Sequence, residues 1–553
     1  MGNGQAWVTC VTKDYLDNPA AETVRARPFS QRLLSEGSKQ WAMSRVQACE
    51  ASHHNCLSGE SDFTPSRLLR LVQCPDGSLF VVLQDIPRGG DHIKVGRYTS
   101  LSYCWGGHQE LQLNANTEVA LINGIPVSSL PQTLRDAVSV TQDLGFQFIW
   151  VDSLCIRQDN PQDIALEIAQ MPQIYKNSFV TISAARARHS NEGFLHDMSL
   201  PPISEPAFRL PFACPDGKLG SVILSSGLAK SPIDERAWTL QEYILSCRVL
   251  QFTNAGLHWT CREAVGFRQD DAFLALDYLL PFRNSYQMFQ GLYENNRACR
   301  HWMNIVEEYT KRELTYALDK LPAISGVAEV WAQALDDSYL AGIWLSHLPG
   351  ALLWRSAQPH RQPQQHAEYL APTWSWASLV GQIDWFDGKM TAIDRKVVIV
   401  SGATNPLYPG ARYGQVSSGS LVVHGCLQKA VLAGELPVQP EDVTDEALDL
   451  DLATTMLDFW DEVLEERTRG CRLYCLQICV FEEDSRSGPS GLILVTQDEK
   501  AFRRVGVFEF EPPQEDGTQS REDYNFLFQR YEDTLYVQRR AFSQADPRTI
   551  TIV

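Results

Sequence analysis

Between residues 98 and 183 the hydrophobic period of the chain changes four times, and each change narrows the folds open to it. Residues 98–107 alternate small and large side chains with a period of two, as a strand does, and run out at Gly106-Gly107, where the backbone must turn sharply. After Leu130-Pro131 the period becomes helical: Leu134, Ala137, Val138, Thr141 and Leu144 share one face, and Gly145 supplies a C-terminal cap. Residues 146–151 are largely apolar, as expected of a strand covered on both faces, and stop at Asp152. Asn160-Pro161 opens a second helix with Ile164, Ile168, Met171, Ile174 and Tyr175 three and four apart, and Pro172 is expected to kink or tighten it. Residues 179–183 form a third strand. Strand, helix, strand, helix, strand in this order predicts an α/β unit with a parallel sheet and helices on its faces. Ligands in such sheets sit beyond the carboxyl ends of the strands, so the exits at Tyr103 and Asp152 are candidate site positions.

A net charge of −19 over 553 residues gives no footprint for phosphates, and no Lys/Arg block interrupts it; nucleic acid and an anionic membrane are not expected as partners. The first residues lack the basic region and apolar core of a signal peptide, no run approaches the length of a membrane span, and Ala6 breaks the myristoylation pattern. The expectation is a cytoplasmic protein whose 14 cysteines are reduced. Cys49, His53 and Cys56, with His54 beside them, have a spacing that suits zinc, but a closed site needs a fourth ligand. Cys74 is the nearest later candidate, a polar helix explains the same letters, and no metal is expected. Cys471, Cys475 and Cys479 alternate with Leu473, Leu476 and Ile478 in what reads as a buried strand, where cysteine acts as a small hydrophobe.

A third stretch concentrates chemistry. Pro232 fits a loop or a first helical turn, and in the helix that follows Trp238 and Glu242 stand four apart, one above the other. Either the indole fixes a working carboxylate, or Trp238 is core and Glu242 lies on a solvated face.

The blocks Ser102-Tyr103-Cys104-Trp105-Gly106, Trp150-Val151-Asp152-Ser153-Leu154-Cys155-Ile156-Arg157-Gln158 and Arg236-Ala237-Trp238-Thr239-Leu240-Gln241-Glu242 resemble, in order and spacing, the three signature blocks of the fungal heterokaryon-incompatibility (HET) domain family. The resemblance covers about residues 90–265. That family is regarded as similar to Toll/interleukin-receptor (TIR) domains, some of which cleave NAD. The resemblance therefore implies a TIR-like, flavodoxin-like parallel sheet with helices on both faces, and it maps Trp238-x3-Glu242 onto the TIR helix that carries the catalytic glutamate. It implies Glu242 as the catalytic residue and Tyr103, Trp105, Gly106, Gly107, Asp152 and Trp238 as substrate-binding residues. NAD is then a candidate substrate rather than a cofactor, with no cofactor expected and self-association through the HET domain as the expected partnership. The chemistry agrees with one carboxylate: cleaving the nicotinamide–ribose bond expels a neutral base from a pyridinium, so no general acid is needed. What remains is stabilising positive charge at the anomeric carbon.

Each residue also has a plainer reading. Trp105 caps a sheet edge as readily as it stacks on a nicotinamide or adenine ring, and Asp152 caps a turn as readily as it binds ribose hydroxyls. Gly106 and Gly107 serve a turn, or let a phosphate approach the backbone. Cys155, with His108 its nearest partner in sequence, reads as a buried thiol rather than a nucleophile.

Four regions are expected: an N-terminal helical and hairpin extension (1–89) with strands at 66–73 and 78–83 around Pro75-Asp76-Gly77, the HET domain (90–265), a helical segment (266–357) and a β-rich C-terminal region (366–553). The last contains an acidic helix from Glu441 to Arg469, residues 358–365 read as a linker, and Trp374 and Trp376 are expected to pack against the HET domain. Three functions follow: an NAD-cleaving cell-death effector, a non-catalytic HET signalling module, and an enzyme of small-molecule metabolism that reuses the HET pocket.

Overall fold

In the computed structural model the chain divides into two units, Met1–Gln287 and Met288–Val553. Described are residues 9–11, 19–23, 36–56, 63–86, 96–196, 207–225, 231–254, 256–263, 265–267, 295–357, 368–385, 393–431, 448–449, 454–458, 470–481, 488–509 and 539–553. The expected linker at 358–365 lies outside them.

Among the described residues the strands of the first unit are β1 (Thr9–Val11), β2 (Arg67–Gln73), β3 (Leu79–Asp85), β4 (Tyr98–Ser102), β5 (Ile125–Pro126), β6 (Phe148–Trp150), β7 (Val180–Ser183), β8 (Ala207–Ala213), β9 (Leu219–Ser225), β10 (Arg248–Thr253), β11 (Gly256–Cys261) and β12 (Val265–Phe267). Among the same described residues its α-helices are α1 (Glu36–Ser52), α2 (Glu118–Asn123), α3 (Gln132–Asp143), α4 (Asp152–Cys155), α5 (Pro161–Asn177) and α6 (Ala237–Leu245). Nine of the strands make one sheet in the order β12-β11-β10-β7-β4-β6-β2-β3-β5, and β1, β9 and β8 make a small second one.

The large sheet corrects the expectation of an all-parallel one. Only its centre is parallel: β4 pairs in parallel with β6 on one side and β7 on the other, and β7 with β10. Its flanks are antiparallel, with β2 against β6 and β3 against β2, and β11 against β10. The cause is local. The strands flanking Pro75-Asp76-Gly77 are joined by a tight turn, in which Gly77 has φ +86° and Asp76 Oδ1 accepts from Ser78 N at 2.9 Å, and a connection that short fits only antiparallel strands. The hairpin expected in an N-terminal extension thus stands in the same sheet as the strands of residues 98–183.

Helices cover both faces of the parallel centre, and β4 shows why. Its side chains alternate, so Thr99 meets Thr141 of α3 at 2.8 Å on one face, while Tyr98 donates to Ile174 O of α5 at 2.7 Å on the other. Every β4 residue is buried, as a central strand requires. Asn160 caps α5 by accepting from Gln162 N and Asp163 N, and α5 runs on through Pro172 as one helix. Trp150 and Tyr175 meet edge-on at 5.6 Å beneath the strand ends. Burying a side chain of this size contributes about 1.5–3 kcal/mol.

The second unit is organised on tryptophan. Trp302 of helix Asn295–Thr310 lies 5.7 Å from Trp331 of helix Pro322–Leu335 and 5.4 Å from Trp344. Trp302 and Trp376 both donate to Gly342 O at 2.8 Å, and Trp354 donates to Trp374 O at 3.0 Å. Trp374 and Trp376, expected to pack against the HET domain, are fully buried, and these hydrogen bonds tie both of them into the second unit. A β-sheet runs in the order Val397–Pro406, Val416–Val431, Arg472–Phe481, Pro489–Thr496, Arg503–Glu509, Thr454–Leu457. Cys475 and Cys479 are buried in it, as their alternation predicts, whereas Cys471 stands just before the strand and is half-buried. Arg504 is fully buried, paired with Asp458 through two contacts of 3.1 Å and laid over the Trp354 ring. The expected acidic helix is corrected: within it, Leu448–Asp449 and Thr454–Leu457 are strands, and its other residues lie outside the described ones, save Asp458. Two adjacent β-branched threonines resist helix formation, and here Thr454 and Thr455 pair with Glu509 and Phe508.

Candidate functional site

Parallel pairing brings the carboxyl ends of β6, β4 and β7 side by side, so Asp152, Tyr103 and Ala184 leave the sheet at one edge. Ala184 N still donates to Ser102 O at 2.9 Å beyond the last strand residues, which holds the exits of β4 and β7 together. Tyr103 and Asp152 therefore stand on neighbouring parallel strands at the same edge, as their sequence positions predict.

Above this edge lies α6, whose short chain of residues is buried on nearly every side. Glu242 is 5 % exposed, while Trp238, one turn earlier, is half-buried. This reverses the plainer reading, in which the tryptophan was core and the glutamate solvated. Ser102 Oγ donates to Glu242 Oε2 at 2.5 Å, across 140 positions of sequence. Ser246 Oγ donates to Glu242 O at 2.5 Å and lies 2.6 Å from Thr181 Oγ1, so hydroxyls on β7 and after α6 fix the helix to the sheet. Arg236 donates to Tyr103 O at 2.6 Å.

The carboxyl groups feel one another. Burial pushes Glu242 up to about 7; the hydrogen bond from Ser102 opposes this, nearby Asp152 adds to it, and Arg236 and Tyr175 oppose it. Asp152 is also raised, by burial first, with Arg236 and the Trp105 indole holding it down. Trp105 Nε1 donates to Asp152 Oδ2 at 2.8 Å, and Asp152 Oδ1 accepts from Ser153 N at 2.6 Å. Asp152 is the first residue of α4 rather than its cap, and its carboxylate links the exits of β4 and β6. Tyr103 is buried, with its hydroxyl donating to Ser153 Oγ at 2.9 Å.

The two glycines separate in role. At Gly106, φ is +71° and an added Cβ would lie 2.0 Å from His189 Cβ, so this glycine lets the loop after β4 close on the segment after β7. Ser190 N donates to Trp105 O at 3.3 Å across the same contact. At Gly107, φ is +110° and a Cβ would meet nothing within 4 Å. Cys155 is fully buried and its thiol is pushed up to about 12 by burial, whereas His108 is exposed. That thiol stays protonated at neutral pH and has no character of a nucleophile.

Glu242, Asp152, Trp105 and Tyr103 are thus gathered at one edge, Gly106 and Gly107 form its loop, and Trp238 lies on the helix above. Ser102, Tyr175 and Arg236 join them without having been singled out as site residues, although Ser102 and Arg236 stand within signature blocks and Tyr175 on the periodic face of α5. For Ser102 and Arg236 the signal was their place in those blocks, since spacing alone does not pair residues more than a hundred positions apart.

The zinc-like cluster lies elsewhere in the unit. Cys49, His53 and Cys56 are joined there not by Cys74, which sits at the β2–β3 turn, but by Cys261 at the end of β11.

Neither the curated proteins nor the solved structures contain a match to the chain. A family model described as heterokaryon incompatibility protein (HET) matches residues 98–242, from the first residue of β4 to the buried glutamate of α6. Residues 98–242 are thus a domain of the heterokaryon incompatibility (HET) family.

Proposed function

We propose that this HET domain cleaves NAD at the nicotinamide–ribose bond, as a TIR-like effector of incompatibility. The observation that carries the reading is the meeting of Glu242 with Ser102 at the carboxyl end of the central parallel strand, beside Asp152 and Trp105. In the reaction the C–N bond to the pyridinium breaks heterolytically, its electron pair passes to the ring nitrogen, and neutral nicotinamide leaves. Water then adds to the anomeric carbon and releases a proton. The charge that develops is positive and lies on the ribose, so an ionised Glu242 stabilises the transition state more than the ground state. Trp105, its indole oriented by Asp152, offers a flat face for a ring. The open space at Gly107 supports approach of a phosphate to the backbone there.

One observation favours a second reading, in which the domain signals by binding a partner: Glu242 is almost wholly covered and its carboxyl is near neutral, as suits a buried anchor of α6. NAD consumption and nicotinamide release by the full chain and by Glu242→Gln, at concentrations that allow self-association, separate the two. The effector reading expects wild-type turnover and a loss of two orders of magnitude or more in the variant, about 3 kcal/mol of transition-state stabilisation. Inert wild-type protein under those conditions, or a variant as active as wild type, removes it.

A further inference from the structure

We propose that Cys49, His53, Cys56 and Cys261 form a structural zinc site that staples α1 and the turn after it to the end of β11. The candidate ligand atoms of these four residues all lie within 4.8 Å of one another. A tetrahedral ion with bonds of 2.0–2.3 Å places its ligand atoms about 3.8 Å apart, so the arrangement needs only a small contraction. The local chain explains the preorganisation. His53 N donates to Cys49 O at 3.2 Å and Cys56 N to His53 O at 3.1 Å, so the chain turns as it leaves α1 and carries three ligands to one point. The imidazole faces inward, with Nδ1 3.3 Å from Cys261 Sγ across 208 positions of sequence. Three soft sulfurs and one imidazole select zinc over hard cations, and four protein ligands leave no open position, which is the mark of a structural rather than a catalytic site.

Charge supplies an independent argument. Arg248 is buried beside the cluster: its Nε donates to Cys49 Sγ at 3.1 Å, its other nitrogens to Cys56 O at 2.6 Å and Phe179 O at 3.4 Å, and the guanidinium lies 4.3 Å from the Phe179 ring. None of these partners is a carboxylate. A guanidinium cannot shed its proton, and a buried cation needs an anion. When zinc binds, three thiol protons leave to solvent, and three thiolates with one divalent ion carry a net charge of −1. That charge is balanced by Arg248, whose N–H group already points at a ligand sulfur, as outer partners of metal ligands do.

The test uses the full chain purified without chelator and counts zinc by mass spectrometry. One zinc per chain is expected; Cys49→Ser and Cys261→Ser lose it, and Cys74→Ser keeps it. Cobalt(II) added to chelator-stripped protein should give the visible bands of a tetrahedral site and a thiolate charge-transfer band. His53→Cys should retain one metal and strengthen that band by one thiolate, which keeps the test valid if a serine variant fails to fold. Less than about a tenth of an equivalent of zinc after incubation with excess metal, full zinc in Cys261→Ser, or a disulfide among these cysteines in the intact mass would overturn the assignment.

Discussion

Ionised and neutral Glu242 are suited to different tasks, and pH selects between them. In the folded chain the carboxyl holds its proton up to about 7, whereas an exposed glutamate loses it near 4.5. Between these values the folded state binds a proton that the unfolded state has released, so this group makes stability fall as pH rises through the window and adds no further slope above it. The loss is on the order of 3 kcal/mol at most. Glu242→Gln is neutral throughout, so its stability relative to wild type should increase between pH 4.5 and about 7 and then level off, as read from urea midpoints. Wild type and variant changing in parallel across that range would show that the carboxyl is not held neutral by burial. If the domain cleaves NAD with the ionised form, the same ionisation should make turnover rise through about pH 7. At this scale the candidate site was legible in part. Glu242, Asp152 and Trp105 stand inside motifs, but Ser102 controls Glu242 through a contact 140 positions away, and such a pairing leaves no trace in local spacing.

Helical and strand periods carry information about each element alone, which is why the elements of residues 98–183 could be read from side-chain pattern while their neighbours could not. The β2–β3 turn chemistry predicted a hairpin correctly, yet nothing in the hairpin encodes that β2 docks on β6. That choice is made by which sheet edge remains to be covered. Acidic composition was misleading at Thr454-Thr455, where β-branching and an available partner strand outweighed it. Loop packing is testable at one position. Gly106→Ala introduces a methyl 2.0 Å from the His189 side chain and 2.6 Å from its backbone, in a left-handed conformation that alanine disfavours, so the loop after β4 must lift from the segment after β7. A loss of about 2–4 kcal/mol in chemical denaturation is expected. Gly107→Ala, strained in backbone but sterically open, should cost less, about 1 kcal/mol. Equal losses would mean that the His189 contact does not hold the loop.

The first unit as a whole is larger than its signature. The family match runs from β4 to α6, but β2 and β3 lie before it and β10 and β11 after it; β2 borders β6 and β10 borders β7, with β3 and β11 one strand further out. A fragment of residues 98–242 would leave β6 and β7 with bare backbone on their outer sides and apolar residues without cover, an invitation to intermolecular pairing. Residues 36–267 keep every strand of the nine-stranded sheet. The shorter piece should therefore aggregate or remain unfolded, and the longer one should elute as a discrete folded species, by gel filtration and far-UV circular dichroism. A monomeric, folded 98–242 fragment would show that the flanking hairpins are dispensable. The piece of chain by which such a protein is recognised is then shorter than the piece that can stand alone. A HET segment transplanted into another protein by its signature limits would need its new neighbours to supply the missing borders.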